Sequence, residues 1–144
     1  MSRVHGWHGR LTRYLAEARK KPYEVGVHDC ALFAAGAIEA ITGVDLASSF
    51  RGRYDTIEQG MSLVNKEGFI DHIDMARAHF PSERPARAHI GDLAVVRIGE
   101  SVVALGVVAG SRVYILGEKG VGVVGLMDRD LNNMNLVTEI FRVV

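Results

Sequence analysis

The stretch HDCALFAAGAIEAITG, residues 28–43, decides the fold class, because it carries both ends and one face of a single helix. Cys30, Phe33, Ala34, Ala37, Ile38 and Ile41 recur at steps of three and four residues and mark one apolar stripe. Asp29 suits the position before the first turn, where a carboxylate accepts an orphan backbone N–H, and Gly43 suits the left-handed stop. The spacing predicts a helix that begins at Cys30 and buries most of its surface.

Working outward, Trp7, Leu11, Tyr14, Leu15 and Ala18 predict an opening amphipathic helix that Pro22 ends. A third helix is expected from Asp55, with Asp55 and Glu58 at capping-box spacing, Ile57, Met61 and Val64 as its apolar face, and Gly68 as its stop. Phe69, Ile73, Ala76 and Phe80 predict a shorter fourth. Residues 81–89, rich in Pro, Arg and Ser, read as a connecting loop. Beyond it the period changes to that of strands: 93–97, 102–108, 113–116, 121–124 and 136–144 are valine-rich and bounded by glycine. The expectation is an α+β domain spanning 1–144, mainly helical over 1–80 and mainly β over 90–144, with the cysteine helix packed on an antiparallel sheet or small barrel.

Composition removes several functions. The 17 basic and 17 acidic residues balance, so no excess of positive charge stands ready for a phosphate backbone, and no nucleic-acid partner is expected. No run approaches the ~18 apolar residues needed to cross a bilayer, and MSRVHGWHGRL lacks a secretory apolar segment, so membrane insertion is not expected and synthesis in a cytoplasm is. One cysteine excludes an internal disulfide. His5 and His8, or His28 and Cys30, match no strong zinc spacing, so neither a metal nor a cofactor is expected.

Cys30 therefore carries the chemistry, if any. At a helix N-terminus the dipole and unpaired N–H groups favour the thiolate, whereas a lone cysteine on an apolar stripe reads first as core. A nucleophile needs a histidine brought to it and oriented by a third polar group. His28 lies two residues away and reaches the thiol only through a local turn; His5, His8, His72 and His79 fall in the helical half. His89, just before Ile90, Gly91 and Asp92 at the entry to the first strand, is the favoured distant base.

PYEVGVHDCALFAAGAIEAITGVD, residues 22–45, followed by FRGRYDT, residues 50–56, resembles a family of small phage and prophage proteins related to NlpC-type papain-like cysteine peptidases. Tyr23, Gly26, His28, Asp29, Cys30, Phe33, Gly43, Asp45, Arg51, Gly52 and Tyr54 fit its pattern, Val25 replaces a frequent tryptophan, and GDLAVV, ALGVVAG and the terminal FRVV extend the likeness along nearly the whole chain. The resemblance implies a papain-like, NlpC-type fold. It also implies that Gly91, Asp92 and Leu93 open the strand after the cysteine helix, and that Ala104 stands where active enzymes carry the catalytic histidine of a His-Val-Gly-Ile strand. The orienting residue would fall near Val113 or Tyr114, in an apolar strand. Losing a positioned base costs about two to four orders of magnitude in rate.

The leading expectation is thus a tail or tail-tip protein of a phage or prophage, in the virion tail and partnered by other tail-tip proteins, on a degenerate peptidase scaffold. Asp29, Asp92 and Ala104 then support or mark the old site, and Arg51 to Tyr54 read as a solvated turn, with a docking loop as the alternative. The competing expectation is an active cysteine peptidase cutting peptidoglycan stem peptides, with Cys30 as nucleophile, His28 or His89 as substitute base, and N–H groups of the helix start for the oxyanion.

Overall fold

The computed structural model describes residues 1–144 as an α+β fold of four helices and a six-stranded antiparallel sheet. Helix α1 spans Trp7–Ala18, α2 Cys30–Thr42, α3 Ile57–Lys66 and α4 His72–His79. The strands are β1 Ser82–Glu83, β2 Leu93–Arg97, β3 Val103–Ala109, β4 Arg112–Gly117, β5 Gly120–Gly125 and β6 Val137–Phe141. Their order in the sheet is β1-β6-β2-β3-β4-β5, so the last strand returns to lie between the first two. The sheet stays open, with β1 and β5 as edges, and does not close into a barrel.

Helix α2 forms where its caps require. The Asp29 carboxylate accepts the Leu32 N–H at 3.0 Å, and Gly43 ends the helix at φ 77°, a conformation glycine adopts without steric cost. Helix α3 starts one residue later than its sequence suggests. Thr56 is the cap, its hydroxyl accepting the Gln59 N–H at 3.1 Å, while the Gln59 side-chain oxygen accepts the Asp55 N–H at 2.8 Å. The loop at 81–89 also holds more structure than expected, namely β1 and a 3-10 turn over Pro85–Arg87.

Two cores flank the sheet, as period-2 alternation requires. On one face Leu93, Val95, Leu105, Val107 and Phe141 pack against Phe33, Ala34, Ala37 and Ile41 of α2 and against Leu11 and Leu15 of α1. On the other, Ala94, Val96, Val108, Val113, Val137 and Ile140 form a smaller cluster covered by Ala88, Leu126 and Leu136. Helix α2 is thus held between α1 and the sheet, and its first turn faces the start of β3.

Helix α4 is tied to the same sheet by charge. The Arg77 guanidinium donates twice to Glu139 on β6, at 2.7 and 3.2 Å, and Ser82 donates to the same carboxylate at 2.6 Å. Helix α3 is the exception to this packing. None of its residues is buried, although Ile57, Met61 and Val64 form an apolar stripe.

Candidate functional site: a thiol and an imidazole in an apolar cleft

Two helix starts converge on one cleft. Cys30 is the first residue of α2, after the capping Asp29, and His72 is the first residue of α4, after the capping Asp71, whose carboxylate accepts the Asp74 N–H at 2.8 Å. Their side chains meet with 3.9 Å between Cys30 Sγ and His72 Nε2. The β3 backbone closes the other side of the sulfur: the Leu105 N–H donates to Sγ at 3.4 Å, and the thiol lies 3.6 Å from the Leu105 carbonyl oxygen.

The imidazole beside the sulfur belongs to neither histidine favoured from the sequence. His28 is buried, its Nε2 donates to the Ala18 carbonyl at 3.1 Å, and its ring packs edge-on against Phe33. That bond ties α1 to the α2 start and leaves His28 a structural residue. His89 is exposed, and its backbone N–H, not its ring, is engaged, donating to Asp92 at 2.8 Å. The signal that could have singled out His72 is its Asp-His step at a helix start, which repeats the Asp-Cys step of α2.

Ala104 also acts differently from its expected place. Leu105 and Val107 face α2, whereas Ala104 pairs with Val96 and, by strand alternation, points with Val96 and Val108 to the opposite face. A histidine at 104 would point away from the sulfur in this register. The side chains that β3 presents on the cysteine face are Val103 and Leu105, and neither accepts a proton.

The electrostatics run against the simple helix-start expectation. Burial pushes the Cys30 thiol up and the neighbouring Asp29 carboxylate adds to this, outweighing the Leu105 N–H, which favours the thiolate. Burial pushes His72 down, against the smaller pull of Asp71 and Asp29. Both shifts favour a neutral thiol beside a neutral imidazole over an ion pair. Asp29 is also fully engaged: Oδ2 accepts from the Gly26 N–H at 2.9 Å and the Tyr54 hydroxyl at 2.5 Å, and Oδ1 accepts from Leu32. The Leu32 N–H is consequently closed to a developing oxyanion. Tyr54 thus belongs to the site's frame, so the Arg51 to Tyr54 segment is more than a solvated turn. Tyr54→Phe is expected to cost about 1 kcal/mol in denaturant unfolding without loss of helix content.

Asp92 and the cysteine do not share a site. Asp92 is fully buried at the start of β2, where it holds Arg142 and the backbone of His89 and Val143. No group of three or more His, Cys, Asp or Glu residues is placed to hold a metal ion, and no helix is long and apolar enough to cross a membrane.

The cleft around the pair measures about 650 Å³, and 25 of its 31 lining residues are hydrophobic, a chemistry suited to apolar ligands. Asp29 and Glu118 are its only formally charged lining residues, and no lysine or arginine lines it. The fold and site define a class: an α+β domain in which a helix that begins at a cysteine and a second helix start share an apolar cleft against an antiparallel sheet. The chain belongs to the family described as domain of unknown function DUF6950, which matches residues 2–132. No curated protein matches it.

Proposed function

We propose that this chain is a tail or tail-tip protein of a phage or prophage, in which a papain-like, NlpC-type scaffold serves as a binding module and no longer as a peptidase. The resemblance of residues 22–45 and 50–56 supports the phage-tail assignment. The observation that carries the loss of catalysis is the strand against the sulfur. On the cysteine face β3 offers Val103 and Leu105, and neither accepts a proton from the thiol. The cleft chemistry points the same way. Peptidoglycan stem peptides are polar and bear carboxylates, whereas this cleft is apolar and its two charges are both acidic.

Mass spectrometry of purified particles tests the assignment, with the chain expected in the tail fraction and particles assembling normally with Cys30→Ala. Absence of the chain from particles, or loss of peptidoglycan turnover in that variant, would overturn it.

The 3.9 Å approach of His72 favours a second reading, a cysteine hydrolase whose base enters from α4. Under that reading His72→Ala abolishes turnover of a peptide or ester substrate; under the first there is no turnover to abolish.

A further inference from the structure

The cleft continues into an apolar rim. Ile57 on α3 is 58% exposed, and Ile98 and Val102, in the β2–β3 connection, are 56% and 55% exposed; all three line the cleft. The apolar stripe of α3 is directed at this space, since Ile57, Met61 and Val64 all line it, and yet the helix has no buried residue of its own. An amphipathic helix ordinarily buries such a stripe. The apolar surface therefore extends from the enclosed floor at Cys30 to an open lip, the profile of a docking surface more than of a closed small-molecule pocket.

Charge narrows the occupant. Asp29 and Glu118 are the formal charges of the lining, and no lysine or arginine is among its residues. An acidic segment entering here would meet the Asp29 and Glu118 carboxylates with no lysine or arginine in the lining to offset them, at a cost that basic or neutral flanks avoid. An anionic lipid surface meets the same difficulty, since no lysine or arginine lines the cleft to receive it.

We infer that this cleft docks a short apolar, non-acidic segment of a partner protein, seated between α3 and the β2–β3 connection with its anchor side chains over Cys30 and His72. This rests on the scaffold reading above, since it gives the former peptidase cleft a partner to hold.

Because Cys30 is the only cysteine, its alkylation reports occupancy. The experiment selects random short peptides by display on the full chain, then measures how synthetic copies of the selected peptides slow reaction of Cys30 with N-ethylmaleimide. The expected peptides carry two or more large apolar residues flanked by lysine, arginine or neutral residues, and they protect Cys30. Met61→Asp, on exposed α3 surface, weakens them by about tenfold or more, while Met61→Leu retains binding. The inference is overturned if nothing is selected, if the peptides are acidic, if they bind without protecting Cys30, or if Met61→Asp binds them equally. It is also overturned if phosphatidylcholine vesicles protect Cys30 where the peptides do not. Each of these leaves the scaffold reading standing, whereas cleavage of a bound peptide that depends on Cys30 would overturn that reading instead.

Discussion

Replacing Asp92 by alanine is expected to lower stability by about 3–5 kcal/mol, the largest effect of any single side chain considered, through loss of one partner of a buried ion pair. The carboxylate has 0% exposure and lies 3.0 Å from Arg142 Nε; it also accepts the His89 N–H at 2.8 Å and the Val143 N–H at 3.3 Å. These bonds join the start of β2, the turn before it and the chain after β6. Alanine leaves a guanidinium that is one-quarter exposed without its counter-charge, together with two backbone donors turned toward an empty site. Urea unfolding measures the loss, and for a chain of this length the midpoint of thermal unfolding should fall by roughly 10 °C. Asp92→Asn keeps the shape and some of the hydrogen bonding, so it should cost less than Asp92→Ala. Equal costs would mean that the charge, and not the shape or the remaining hydrogen bonds, holds this corner.

Gly26→Ala is expected to cost roughly 2–5 kcal/mol, combining backbone strain with a steric overlap that nothing flexible can relieve. Gly26 sits at φ 85°, and a Cβ there would collide with the Tyr54 carbonyl oxygen, a backbone atom. The same residue donates its N–H to Asp29 at 2.9 Å and accepts the Gly52 N–H at 2.8 Å. The close approach of these two loops brings the Tyr54 hydroxyl onto the cap of α2. A Gly26→Ala protein should therefore lose both stability and the position of Cys30, seen as an altered alkylation rate in whatever fraction folds. An unchanged unfolding midpoint would show that the 26–54 approach is not held as described.

How much of this was legible depended on whether the determinant was local. Helix α2 could be placed from its own residues because Asp29 and Gly43 act on the turns they adjoin. The long strands could be placed because their valines alternate in short runs bounded by glycine. The start of α3 slipped by one because Asp55 and Thr56 are both good caps, and the choice was made by Gln59, whose side chain reaches back to the Asp55 N–H. Strand β1 is two residues long and exists only by pairing with β6, some 58 residues away, which no local pattern announces.

The site was less legible than the fold for the same reason. Cys30 lies on a helix that sequence periodicity specifies, but His72 reaches it from 42 residues away, through the position of α4 against β6 that Arg77 and Glu139 help to hold. Only the Asp71-His72 step at the start of α4 separates it from the other five histidines. The helix dipole and the unpaired N–H groups of the helix start favour the thiolate, and burial together with Asp29 reverses that direction. Likewise a motif gives Ala104 its place along the strand, whereas the pairing of β3 with β2 decides which side chains face the cysteine.

The central claim, that the cysteine marks a binding cleft and not a working catalytic pair, is tested most directly by the pH dependence of Cys30 alkylation with iodoacetamide, in the unaltered protein and in His72→Ala. Burial and Asp29 raise the thiol above its ordinary value, so the reactive thiolate is scarcer at neutral pH than in a free thiol and grows only as pH rises above the usual thiol range. Burial lowers His72, which disfavours the imidazolium that would stabilise a thiolate. The account predicts alkylation slower than that of a free thiol at pH 7, one rise at alkaline pH, and the same profile in His72→Ala. Fast alkylation that persists as a plateau into mildly acidic pH and collapses in His72→Ala would contradict it, because that is the behaviour of a thiolate–imidazolium pair.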